Sequence, residues 1–103
     1  MKRLLCVLCF VAFPALAAED LAGLAALRAA AEQGQARAQY ELGVLYEFGF
    51  GDPGHKIEAY VWYSRAAAAG DPQAAARLER LRTELAPAEL ERAQARLRRP
   101  HAS

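Results

Sequence analysis

Cysteine is scarce in this sequence, and where it stands matters more than the count: both cysteines, Cys6 and Cys9, fall within the first ten residues. Past that point there is no disulfide, cysteine nucleophile or thiolate metal site to invoke. Serine and histidine are almost as rare, limited to Ser64, Ser103, His55 and His101. Triads of the serine hydrolase kind therefore have one internal candidate set, Ser64 with His55 and Asp71. It would require a serine on a packed helix to meet a histidine from a distant turn. No pair among the His, Asp and Glu residues stands at the spacing of a zinc helix or a calcium loop, and Asp52 with His55 supplies two ligands at most. Gly49, Gly51 and Gly54 follow a helix and lack the lysine-serine pair of a phosphate loop, so they read as turn residues. We expect no enzyme activity, no cofactor and no metal.

Long apolar runs are also missing, with one short exception. Met1, Lys2 and Arg3 precede an uncharged apolar stretch from Leu4 to Phe13, and Pro14 and Ala15-Leu16-Ala17 follow it. Ten apolar residues fall short of the roughly 20 that a helix needs to span a bilayer. A positive start, a short apolar core and small residues at the end describe a cleavable signal peptide, 1–17, with cleavage near Ala17/Ala18. The expected location is periplasmic or secreted, with no membrane span left after cleavage.

Charge of one sign is lacking too. Removing Lys2 and Arg3 from 13 basic residues against 12 acidic ones leaves a net charge of about −1 on the mature chain. Nucleic acid is therefore not the expected partner. Arg96, Arg98 and Arg99 make one short basic end, for which compensation of a helix dipole is the simplest account.

What is present is a repeat. A shift of 36 positions pairs Gly34 with Gly70, Ala38 with Ala74, Leu42 with Leu78 and Leu45 with Leu81. The same shift pairs Leu21 with Ile57, Leu24 with Tyr60, Leu27 with Tyr63, Ala30 with Ala66 and Ala31 with Ala67. Within each unit the period is helical: Ala38, Leu42, Leu45, Tyr46 and Gly49 share one face, and Ala59, Trp62, Tyr63, Ala66 and Ala67 another. Helices are expected at 20–33, 36–48, 56–69, 72–84 and 87–98, with no strand. The glycine-rich segment 49–54 separates the second from the third, Gly70 closes the third, and Asp71-Pro72 opens the fourth as N-cap and N1. Small residues at Ala38, Gly43, Ala59, Ala66 and Ala67 allow close helix approach, with Tyr46, Trp62 and Tyr63 filling the wider gaps.

Ala38-Gln39-Tyr40-Glu41-Leu42-Gly43-Val44-Leu45-Tyr46-Glu47-Phe48-Gly49-Phe50-Gly51, then Glu58-Ala59-Tyr60-Val61-Trp62-Tyr63 and Ala66 to Gly70, resembles a Sel-one-like repeat, a relative of the tetratricopeptide repeat. One full repeat covers about 36–71, half-repeats flank it, and 87–98 is similar to the terminal helix that closes short exported members. Two departures stand out: His55 replaces an acidic residue after the loop, and Ala86 replaces a Thr or Ser N-cap. Lost caps would cost on the order of 1 kcal/mol each. Cysteine-rich relatives tied to β-lactams depend on paired cysteines absent here, so that activity does not carry over.

The resemblance implies an all-α fold: a short α/α solenoid of antiparallel helix pairs with a C-terminal capping helix, spanning 18–99 and followed by a disordered tail, 100–103. It implies an adaptor or scaffold of the bacterial envelope that binds another protein or peptide on its concave helix face. In such solenoids that face is lined by the first helix of each pair, here offering Arg37, Tyr40, Val44, Glu47 and Phe48, with Arg77 and Arg80 from the next repeat. Tyr40, Val44 and Phe48 form an i, i+4, i+8 stripe that either a partner or neighbouring helices must cover. Self-association through open solenoid ends is the competing expectation, giving a monomer or a weak assembly.

Overall fold

A computed structural model of the chain describes residues 22–49 and 53–99. The signal segment 1–17, its cleavage point and the tail 100–103 lie outside the described residues. Helix α1 runs over 22–32, α2 over Ala36–Val44, α3 over Pro53–Ala68, α4 over Pro72–Glu84 and α5 over Pro87–Leu97. A π-helical turn, Leu45–Gly49, extends α2. Among the described residues there is no strand, and the architecture is a short helical solenoid-like domain.

The 36-residue period is written into the backbone of the two turns. Gly34 and Gly70 hold positive φ, 96° and 102°. At the first turn the Gly34 and Gln35 N–H groups donate to the Ala31 and Ala30 carbonyls; at the second, Gly70 and Asp71 donate to Ala67 and Ala66. Both are Schellman closures, in which a left-handed residue lets two N–H groups turn back onto the last carbonyls of the helix. Asp71 then caps α4, its Oδ1 accepting from the Gln73 N–H at 2.9 Å and the Ala74 N–H at 3.1 Å, with Pro72 at N1.

Helix α3 is the centre. Tyr60, Val61, Trp62 and Tyr63 are consecutive and all buried, which a helix achieves only when neighbours surround it. Helices α2, α4 and α5 supply those neighbours. Contacts of like ends fix the directions: Arg37 at the start of α2 bonds Gln73 at the start of α4, so these two run parallel. Lys56 near the start of α3 pairs with Glu84 at the end of α4 at 3.7 Å, so α3 is antiparallel to them. Gly43 lets α2 meet α3, since a Cβ there would stand 2.6 Å from the Tyr63 ring. The core continues through Ala31, Ala38, Leu42, Ala59, Ala66, Ala74, Leu81, Leu85 and Ala93.

Three sequence expectations need correction. Helix α3 starts at Pro53 rather than 56, because proline at the first helical position gives up an N–H that would have no helical partner anyway. His55 thus sits in the first turn of α3, its ring 5.8 Å from that of Tyr46, and is not a loop or capping residue. Leu45 and Gly49 leave the core face: Leu45 is 38% exposed and Gly49 is exposed. The π turn accommodates more residues than an α turn, so the 3.6-residue register ends at Leu45 and Tyr46 takes the buried place. At α5, Ala86 has N-cap geometry but no side-chain acceptor, and only the reverse half of a capping box forms, the Ala86 N–H donating to Glu89 Oε1 at 3.0 Å.

Candidate functional site

The seven residues expected on the concave face come from α2, its π turn and α4. Their placement follows from the parallel run of α2 and α4, one repeat apart with α3 behind both. Five of the seven are linked into one network. Arg77 Nε donates to the Tyr40 hydroxyl at 3.0 Å, and Arg77 Nη1 lies 3.6 Å from Glu47 Oε1. The same carboxylate oxygen accepts from the Tyr63 hydroxyl at 2.7 Å. The Arg77 guanidinium also stands over two rings, 5.8 Å from the centroid of Tyr40 and 5.4 Å from that of Phe48. The Arg37 guanidinium also stands over Tyr40, 5.0 Å from its centroid, bonds Gln73 Oε1 at 2.8 Å and pairs with Glu41 at 3.4 Å.

Burial and hydrogen bonding together set the electrostatics of this network. The Glu47 side chain is 5% exposed, and a carboxylate so placed needs the donors it has. Burial, then the hydrogen bond to Glu47, hold the Tyr63 phenol well above its ordinary range, so it stays a neutral donor. The hydrogen bond to Tyr40 holds the Arg77 guanidinium above its already high value, against the opposing effect of desolvation. The two hydrogen bonds and the ion pair tie Tyr40, Glu47, Tyr63 and Arg77 into one arrangement on this face.

The stripe of Tyr40, Val44 and Phe48 is not uniform. Tyr40 and Val44 are half-buried against the core, and Tyr40 meets the Tyr63 ring at 5.9 Å. Phe48 alone projects, 62% exposed. The π turn that carries Glu47 inward carries Phe48 outward. Arg80 lies on the exposed side of α4, and its guanidinium has no partner among the described residues. Two participants were missed from sequence, Gln73 and the Tyr63 hydroxyl. Gln73 had a signal, because it stands 36 positions after Arg37.

Hydrolytic geometry does not assemble. Ser64 and His55 lie on one helix nine residues apart, about 14 Å along its axis. Asp71 is committed to capping α4. Among the described residues no three His, Cys, Asp or Glu side chains gather as metal ligands, and no helix is long and apolar enough to cross a membrane.

Comparison with known proteins adds one relative. Over 52 residues the chain is 48% identical to the chitin synthase regulator SKT5 of the fungus Malassezia restricta. That stretch is 50% of this chain and 4% of the relative, so it concerns a small part of a much longer protein. The relative is named as a regulator and not as an enzyme. No family model matches the chain. No solved structure matches it.

Proposed function

We propose that this chain is a non-catalytic protein-binding module, an adaptor of the Sel-one-like repeat type, that takes a segment of a partner protein on the face formed by α2 and α4. The observation that carries this reading is Phe48. It is a large aromatic that is mostly exposed, yet held on one side by Arg77, whose own position is fixed by Tyr40 and Glu47. A rigidly backed aromatic loses little freedom on binding, and burying a side chain of its size contributes about 1.5–3 kcal/mol. Arg37 and Arg80 at the edges supply polar contacts of the kind found around such anchors. Similarity to a stretch of a protein named as a regulator is in keeping with a binding role.

Residues 1–17 are the whole support for export to a bacterial periplasm or to the medium. N-terminal sequencing of the protein isolated from its own cells tests it: a start near Ala18 supports export, and a retained Met1 or Lys2 overturns it.

The partner is tested by affinity capture with residues 18–103, wild type beside Phe48→Ala. Phe48→Ala is the cleaner substitution, because the Tyr40 hydroxyl and ring are also tied to Arg77 and Tyr63. A protein retained by the wild type and reduced at least tenfold by the variant, at equal helicity, supports the reading. Equal retention by both sinks it. If sedimentation instead shows the wild type forming dimers that Phe48→Ala dissolves, the face serves self-association.

A further inference from the structure

A second region, between the first turns of α3 and helix α5 and sharing no residue with the α2/α4 face, has the composition of a ligand site. Helix α5 and the start of α3 enclose an open groove of about 410 Å³ lined by Gly54, Ile57, Glu58, Arg92, Ala95, Arg96 and Arg99. Arg92 and Arg96 stand at i and i+4 on α5, Arg99 lies just past its C-cap, and all three line the same groove. Dipole compensation does not account for this. It acts within the last turn and selects no face, whereas Arg92 precedes the last turn and Arg98, at the C-cap itself, does not line the groove.

Charge arithmetic narrows the ligand. Glu58 pairs with Arg96, which neutralises one guanidinium and anchors it. The guanidinium groups of Arg92 and Arg99 have no ion-pair or hydrogen-bonded partner among the described residues. The groove is therefore left with two uncompensated positive charges beside an apolar floor of Ile57 and Ala95. A volume near 410 Å³ lies in the range of small-molecule sites, about 300–1,000 Å³. We propose that this groove binds a phosphate monoester carried on a small apolar stem. Such a group bears about −1.5 to −2 at neutral pH and accepts from guanidinium forks on several oxygens. A carboxylate or a sulfate ester, with one charge, would leave the second arginine unmatched.

Phenyl phosphate titrated into 15N-labelled protein, followed by amide chemical shifts, tests this. Saturable shifts should be confined to α5 and the first turns of α3. Arg92→Gln and Arg99→Gln should each weaken binding about tenfold, and Arg98→Gln should leave it unchanged. Phenyl sulfate should bind at least several-fold more weakly, and phenyl phosphate should weaken as pH falls through about 6, where the second phosphate proton is taken up. Non-saturating shifts, equal effects of Arg98→Gln and Arg99→Gln, or equal affinity for sulfate and phosphate would overturn the site. Binding to phosphatidylglycerol vesicles without saturable phenyl phosphate binding would overturn it too, in favour of a membrane-surface role. None of these substitutions touches Phe48, so failure here and failure of the partner face are read separately.

Discussion

Gly43→Ala should destabilise the domain although it replaces a poor helix former by the best. Placed in the α2 backbone, the new Cβ would stand 2.6 Å from both Cδ1 and Cε1 of Tyr63. Ordinary carbon contacts lie near 3.5–4.0 Å, so α2 and α3 must separate by about 1 Å or the ring must move. The ring has little room: Tyr63 is fully buried and its hydroxyl is bonded to Glu47. Overpacking a filled core costs typically about 1–3 kcal/mol, and this contact involves two ring atoms at the most crowded point, so we take the upper end. Glycine to alanine in a helix returns about 1 kcal/mol. The net is a loss of about 2 kcal/mol, which for a domain of this size lowers Tm by roughly 8–16 °C. Urea unfolding followed by circular dichroism measures it, with Gly23→Ala as control, since a Cβ on Gly23 meets nothing within 4 Å. Gly43→Ala as stable as the wild type, or more so, would refute the close α2–α3 contact.

The same contacts give further expectations. Gly34→Ala and Gly70→Ala should each cost about 1–2 kcal/mol by forcing a Cβ into the left-handed region, and chemical denaturation should show similar losses at the two turns. Ala86→Ser should stabilise by about 1 kcal/mol, because φ −66° and ψ 154° already suit an N-cap and only the acceptor is missing; a thermal melt checks it. Tyr63 ionises less readily folded than unfolded, so its contribution is complete below the ordinary phenol range near pH 10 and is lost as pH rises above it. Stability of the wild type should accordingly fall more steeply above pH 10 than that of Tyr63→Phe, by up to about 1.4 kcal/mol per pH unit. Parallel slopes in urea titrations at pH 9 to 11 would contradict the buried Tyr63–Glu47 bond.

The fold was legible because its signals are local and periodic. The 36-residue register predicts two like turns, and Gly34 and Gly70 carry the same closure with the same partners. Asp71-Pro72 announces a cap and forms one. Along α2 the errors fall where the helix departs from 3.6 residues per turn. Nothing in Leu45–Gly49 marks a π turn, so an unbroken 3.6-residue period puts Leu45 in the core and Phe48 in a stripe with Tyr40 and Val44, from which the structure separates it. Contacts between helices were the least legible part. Arg77 and Tyr40 are 37 positions apart, close to the repeat length, and both were expected on one face, but the bond between them depends on how α2 and α4 sit on α3. Arg92 carries no signal in the sequence, because its place beside Arg96 and Arg99 along one groove arises only when α5 packs against the start of α3.

The central claim is that the face around Phe48 meets another protein. A photo-crosslinking amino acid at position 48, activated in extract from the native host, tests it most directly, with the same group at exposed position 91 on α5 as reference. The account predicts a discrete cross-linked partner from position 48 that is absent from position 91. The same products from both positions, or none from position 48, would contradict it.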